Sequence, residues 1–315
     1  MENKAILWIG FNAFILVMLA VDLGVFHKKA HEVKLKEALT WSAIWIIIAL
    51  IFNIFIWYQF GKTKAVEYLT GYIIEKSLSI DNIFVFVLIF KAFNVPSTYQ
   101  HKVLFWGVTG ALLMRAVFIF AGVSLIERFH WIIYLFGIFL IYTGIKIARD
   151  EGTRIEIENN RVLKLVRRII PFTNEYHGPK FFIKKEKTFA TPLLLVLVLV
   201  EVTDLIFAVD SIPAILAVTN DPFIVYTSNV FAIMGLRSLY FALAGSLKYF
   251  IYLHYGLAAI LVFVGVKMII SGFFKMNPFI SLVIIAVILA VSITASIIRT
   301  RKDKIHPKSA VRNPK

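Results

Sequence analysis

Apolar residues in this chain come in long blocks of roughly 20, broken by short polar links. A helix rises about 1.5 Å per residue, so one such block crosses the ~30 Å hydrocarbon core of a bilayer. Nine blocks stand near residues 5–26, 39–60, 66–91, 102–126, 130–149, 189–219, 223–247, 253–274 and 278–298. The links between them include HKKAHEVKLKEALT, GKTK, KAFNVPSTYQHK, ERFH, TNDP and KMNP. One link is long, from Asp150 to Thr188, and Arg299 to Lys315 forms a basic, proline-containing tail. Within the long link, RVLKLVRRII suits either a basic amphipathic helix on the inner leaflet or a solvated loop, and FFIKKEK suits a hairpin strand. The pattern predicts an all-α, polytopic membrane helix bundle of about nine spans.

Composition agrees: 59% of the 315 residues are hydrophobic and the mean hydropathy is +0.80, too apolar for a soluble globular chain. A net charge of +15 could signal nucleic acid, but the basic residues sort by side. Alternate links collect 24 Lys and Arg on one face of the membrane and five on the other. That is the positive-inside bias, and no base-stacking module or recognition-helix pattern accompanies it, so no nucleic-acid partner is expected. The bias puts the N-terminus outside and the middle segment and C-terminus in the cytoplasm, in a multi-pass protein of the cell inner (cytoplasmic) membrane. The first block lacks a small-residue cleavage site and holds Asp22, so it reads as a retained helix. There is no cysteine. Disulfides, iron–sulfur clusters and thiolate metal sites are thereby excluded, and any metal must take oxygen or nitrogen ligands, which favours Mn²⁺, Mg²⁺ or Ca²⁺.

Charge inside the blocks changes the picture most. GYIIEKSLSIDNIFVF holds Glu75 and Asp81, and VEVTDLIFAVDSIPAI holds Asp204 and Asp210, six apart in both. Each pair is followed by an arginine and then a lysine: Arg115 and Lys146 in the first case, Arg237 and Lys267 in the second, 31 and 30 positions apart. Ionisable groups at membrane depth are costly and mark ion or proton paths by default. The repeated order predicts a duplication, with 66–149 as a first three-helix repeat and 189–275 as a second. Residues 1–65 supply two peripheral spans, 150–188 a cytoplasmic loop, and 276–315 a last span and tail. Three helices per copy is an odd number, so the second copy enters with inverted topology and a site is expected at the repeat interface.

On a regular helix Glu75, Ser79 and Asn82 share one face, as do Asp204, Ala208 and Ser211. Asp81 and Asp210 point elsewhere unless the helices break, and Pro213 predicts such a break in the second copy, freeing the carbonyl of Val209. Within the spans Glu75, Asp81, Glu201, Asp204 and Asp210 oppose Lys76, Arg115, Lys146, Arg237 and Lys267, with Asp22 near a cytoplasmic end. If lysines snorkel to the interface, excess negative charge remains for protons or a cation to neutralise. The competing reading is structural salt bridges, which suits Arg115 and Arg237 well as buried counter-ions. Lys146 and Lys267 are open between counter-ion and snorkel, and Asp22 between helix end and gate.

At these residues the chain resembles the TerC/Alx family of integral membrane proteins. The matching stretches include VDLGVFHKK, EYLTGYIIEKSLSIDNIFVF, FWGVTGALLMRAVFIFAG, IYTGIK, VEVTDLIFAVDSIPAI and LHYGLAAILVFVGVKM, across about Asp22 to Lys275. The resemblance implies a link to tellurium-compound resistance, alkaline response and manganese export. It also implies an ion site of Glu75, Asp81, Asn82, Asp204, Asp210 and Ser211, to which the charge count adds Glu201. The expected function is secondary export of a divalent cation, Mn²⁺ first, as transported substrate with no cofactor and possible proton exchange; no Walker motif is present. The alternative is a non-transporting membrane scaffold whose 150–188 loop docks a cytoplasmic protein partner. An intramembrane aspartyl protease at Asp81 and Asp210 lacks the expected surroundings, so the chain is not expected to be an enzyme.

Overall fold

The computed structural model describes residues 2–26, 35–129, 131–149, 171–173, 175–184, 188–244, 252–271, 273–274 and 276–305. Side chains are described for these except at 2–4, 22–26, 81, 84, 127, 210 and 301–305. Ten helices and one hairpin follow: α1 (Glu2–Phe26), α2 (Leu35–Phe60), α3 (Lys62–Ala92), α4 (Ser97–Arg128), α5 (Ile132–Arg149), β1 (Phe182–Lys184), β2 (Thr188–Ala190), α6 (Pro192–Leu216), α7 (Pro222–Met234), α8 (Leu236–Leu243), α9 (Leu253–Ile270) and α10 (Pro278–Ile305). Six of them, α2, α4, α5, α6, α9 and α10, are long and apolar enough to cross a membrane. In α1 the described apolar stretch is Ala5–Val21, α3 is diluted by charge, and α7 with α8 make one rod broken at Gly235.

The helix boundaries follow from local chemistry. Pro192 and Pro222 open α6 and α7 at the one place where a missing N–H costs nothing. Asp221 caps α7, accepting from the amides of Phe223 (3.0 Å) and Ile224 (3.4 Å). The FFIKKEK reading holds: β1 pairs antiparallel with β2, Ile183 opposite Phe189. The basic stretch RVLKLVRRII lies outside the described residues.

Two departures concern helix breaks. α6 runs unbroken through Pro213 to Leu216, three residues further on. The proline removes the bond to the carbonyl of Val209, but the helix continues past it and the expected mid-membrane break is absent. The discontinuity falls instead at Gly235, two residues before Arg237. Lys76 Nζ donates to the carbonyl of Ala232 in the last turn of α7 (3.2 Å), supplying a donor and a positive charge where a helix end needs both.

In lipid an apolar side chain gains little by leaving the tails, so close packing and polar contacts must hold the helices together. α7 is the centre, with every residue from Phe223 to Met234 buried. α2 offers it a stripe of Ala38, Ser42, Trp45, Ala49 and Ile56, while Ile47, Ile51 and Trp57 face outward. Phe52 stacks against Phe231 at 4.9 Å between centroids. The closest helix crossing is α5 on α9, antiparallel. A Cβ on Gly137 would lie 2.8 Å from the carbonyl oxygen of Gly265, and one on Gly144 would lie 2.7 Å from that of Ala258.

Candidate functional site

Arg115, midway along α4 and 2% exposed, is the hub of the buried polar residues. Its Nη1 donates to Glu75 of α3 in an ion pair, to Ser211 Oγ of α6 (3.0 Å) and to Asn229 Oδ1 of α7 (3.2 Å). Its Nη2 reaches Asp204 Oδ1 of α6 at 3.4 Å. Asn229 returns its amide to Glu75 Oε2 (3.2 Å), and Asn82 of α3 donates to Asp204 Oδ1 (3.2 Å). One guanidinium therefore draws together four helices that are apolar almost everywhere else. A planar fork with five donors can hold two carboxylates at once, which an ammonium cannot do in fixed geometry.

The arrangement is reciprocal across α3 and α6. Glu75 meets Ser211, and Asp204 meets Asn82. In the sequence Glu75 stands to Asn82 as Asp204 stands to Ser211, seven positions on in each motif. The α5–α9 crossing repeats this: Gly137 meets Gly265 while Ala258 meets Gly144, and the spacing to Lys146 or Lys267 makes Gly137 the counterpart of Ala258 and Gly144 that of Gly265. Contacts in which residue i meets j and the counterpart of j meets the counterpart of i are what a two-fold relation produces.

A cavity of about 40 Å³ adjoins this network, lined among others by Glu75, Asn82, Arg115, Phe207 and Ser211. Asn82 Oδ1, on the cavity wall, and Asp204 Oδ2, on the residue that Asn82 bonds, have no hydrogen-bond partner in the described structure, and neither has Arg115 Nε. Buried polar atoms are nearly always satisfied, so the network has room for a further polar partner.

Of the residues singled out from sequence, Glu75, Asn82, Asp204, Ser211 and Arg115 come together here. Glu201, one turn before Asp204, is half-buried and lies against Gly110 of α4, where a Cβ would come within 2.1 Å of its Oε1. Arg237 is buried, 4% exposed, on α8. Lys267 is buried and Lys146 is exposed, so the two repeat lysines part company. Asp22, Asp81 and Asp210 sit on α1, α3 and α6, and their side chains lie outside the described residues. Among the described residues no group of three or more His, Asp or Glu converges. Asn229 reads from the sequence as a helix-packing polar group first and a ligand second. Its signal was available as Thr227-Ser228-Asn229, three polar residues running through an otherwise apolar helix.

The model for the integral membrane protein TerC family matches residues 60–304. The chain belongs to the TerC family. Other members of similar length include a membrane protein of Myxococcus xanthus, STKORF319, 55% identical over 94% of this chain and 93% of that protein. Alx of Escherichia coli K12, described as a candidate membrane-bound redox modulator, is 44% identical over 95% of this chain and 97% of its own. A membrane protein of Rickettsia bellii is 43% identical over 93% of this chain and 97% of its own. No solved structure matches this TerC-family chain.

Proposed function

We propose that this TerC-family protein is a secondary exporter of a divalent metal cation, Mn²⁺ ahead of others, and not an enzyme. The observation that carries the reading is the meeting of Glu75 and Asp204, one from each sequence repeat, on the buried Arg115 beside a cavity of about 40 Å³ with spare oxygen acceptors. That volume suits one ion or one water. Carboxylate, amide and hydroxyl oxygens suit Mn²⁺, Mg²⁺ or Ca²⁺ rather than soft metals. Asp81, Asp210 and Glu201 complete the proposed ligand set, with Asp22 and Arg237 as gating and counter-charge groups.

Arg115 then acts as a tethered cation. While the site is empty it neutralises the two carboxylates, which could not cross the bilayer bare. A divalent ion arriving with its double charge competes for the same oxygens and leaves the guanidinium held by Ser211 and Asn229, which it already bonds. Protons exchanged for the metal discharge the remaining carboxylates on the return step. The two reciprocal helix contacts support an inverted repeat with its axis in the membrane plane, the plan on which alternating access depends. The basic links support an outside N-terminus, a cytoplasmic C-terminus and placement in the cytoplasmic membrane.

A relative's description as a redox modulator transfers no thiol chemistry, because these 315 residues contain no cysteine. The scaffold alternative draws on the 150–188 segment, of which residues 150–170 are outside the described structure. Near its end Tyr176 donates to the carbonyl of Phe93 (2.8 Å), tying the segment to the end of α3. Mn²⁺ flux into inside-out vesicles, with and without an acidic lumen, separates the two. The transporter predicts accumulation that an acidic lumen accelerates and that Glu75→Gln, Asp204→Asn, Asp81→Asn or Asp210→Asn abolishes at unchanged membrane levels. Folded, purified protein that moves no divalent ion leaves the scaffold.

A further inference from the structure

A second set of charges lies at one end of the bundle, away from the ion site. The first turns of α3 and α5 meet the ends of α6 and α9 around a cavity of about 660 Å³. Lys64, Glu67, Thr219 and Lys267 are in its wall. Glu67 and Lys267 are buried, 9% and 8% exposed. Lys64 Nζ bonds Glu67 Oε2 (2.7 Å) and Thr219 Oγ1 (3.3 Å) and stands 3.8 Å from Asp221 Oδ2. Lys267 has no ion pair among the described residues, and it shares the cavity wall with Glu67, whose own partner is Lys64. A buried ammonium balanced only at a distance is expensive, so packing alone gives no reason to keep it.

The repeat sharpens the point. By the spacing of the acidic motifs, Glu67 and Lys64 correspond to Val196 and Leu193, both apolar and both fully buried. Lys146, the counterpart of Lys267, is exposed. Among the described residues the charged wall therefore exists at one mouth only. It also lies in line with the ion site: Glu67, Gly71 and Glu75 follow one another at single turns of α3, about 12 Å from first to last. Between them the way is shut at Gly71, where a Cβ would lie 2.9 Å from Ser228 Oγ and 3.4 Å from a methyl of Ile215.

We propose that this cavity is the outer vestibule of the ion path, and that Lys267 and Glu67 form a charge valve in its wall. The valve keeps the affinity for external divalent cations low. This rests on the transporter reading and adds where the ion leaves and why it does not return. A fixed positive charge does not alter the gradient; it raises the energy of a doubly charged ion near the mouth. Glu67 limits that barrier, so that release remains possible.

Two measurements test it. Because the chain lacks cysteine, Thr219→Cys gives a single reporter. A membrane-impermeant thiol reagent applied outside intact cells should modify it. Modification only from the cytoplasmic side overturns the vestibule whether or not anything is transported. In reconstituted vesicles of each orientation, Lys267→Met should lower the ratio of external to cytoplasmic half-saturating Mn²⁺ by about tenfold, Glu67→Gln should raise it, and Lys267→Arg should restore it. Equal ratios in all variants with normal flux overturn the valve alone. A wild-type protein that moves no divalent cation overturns the valve together with the transporter reading.

Discussion

At the scale of single residues, Arg115 has the most to lose. It compensates Glu75 and Asp204 where all three side chains are buried, and removing one member of a buried ion network costs about 3–5 kcal/mol. Arg115→Ala should therefore lower thermal stability in detergent and abolish Mn²⁺ flux together. Arg115→Lys keeps the charge and loses the fork, so it should fold and still lose tenfold or more in flux. A lysine variant with wild-type transport would mean that the geometry of the guanidinium is irrelevant. Gly110 offers a cleaner separation. A Cβ there meets the mobile end of Glu201, so Gly110→Ala should leave stability within ~1 kcal/mol while displacing that carboxylate and weakening Mn²⁺ affinity. Unchanged half-saturation in flux assays would take Glu201 out of the site. Glu75, Asp204 and Arg115 were legible in the sequence because charge is rare inside apolar helices. Asn229 and Glu67 were not: an asparagine is ordinary packing material between membrane helices, and Glu67 sits at the edge of its apolar block, where charge is expected.

At the scale of helices, the tightest constraint is backbone against backbone. Gly265 faces the carbonyl of Gly137, where a Cβ would come within 2.6 Å and no flexible side chain is available to give way. Gly265→Ala should push α5 and α9 apart and cost about 1–3 kcal/mol. Gly10 of α1 has open space around it, and Gly10→Ala should be neutral or slightly stabilising through helix propensity. Thermal unfolding of the two purified variants gives the comparison, and equal midpoints would show that the α5–α9 crossing adapts freely. Blocks of apolar residues announced most of the helices, because length and hydropathy are local properties. The broken rod was misplaced for a physical reason. Proline removes one bond back to the preceding turn, at the carbonyl of Val209, yet α6 carries on through Pro213 to Leu216 despite that loss. The break before Arg237 depends on Trp45 and Lys76 packing on Gly235 from other helices, and no local pattern reports that.

At the scale of the whole molecule, the question is whether the two halves are interchangeable around the ion. Glu75 and Asp204 hold matching places in their motifs but differ by one methylene, so the site is symmetric in plan and unequal in reach. Glu75→Asp alone pulls one carboxylate back from Arg115, and Asp204→Glu alone crowds the space between Asn82 and Arg115. Each single variant should lose tenfold or more in Mn²⁺ flux. Under a two-fold relation the double variant restores the total reach with the roles of the halves exchanged, and Arg115 can still bridge both. Its flux should then exceed the product of the two single losses by tenfold or more, a coupling of at least about 1.4 kcal/mol. Residues sharing one network are expected to couple, so a small non-additive effect alone would say little. The sign is the informative part: rescue requires that the two positions face the same ion and the same guanidinium from equivalent sides. A double variant worse than either single one would show that the halves, alike in motif, are not alike in space.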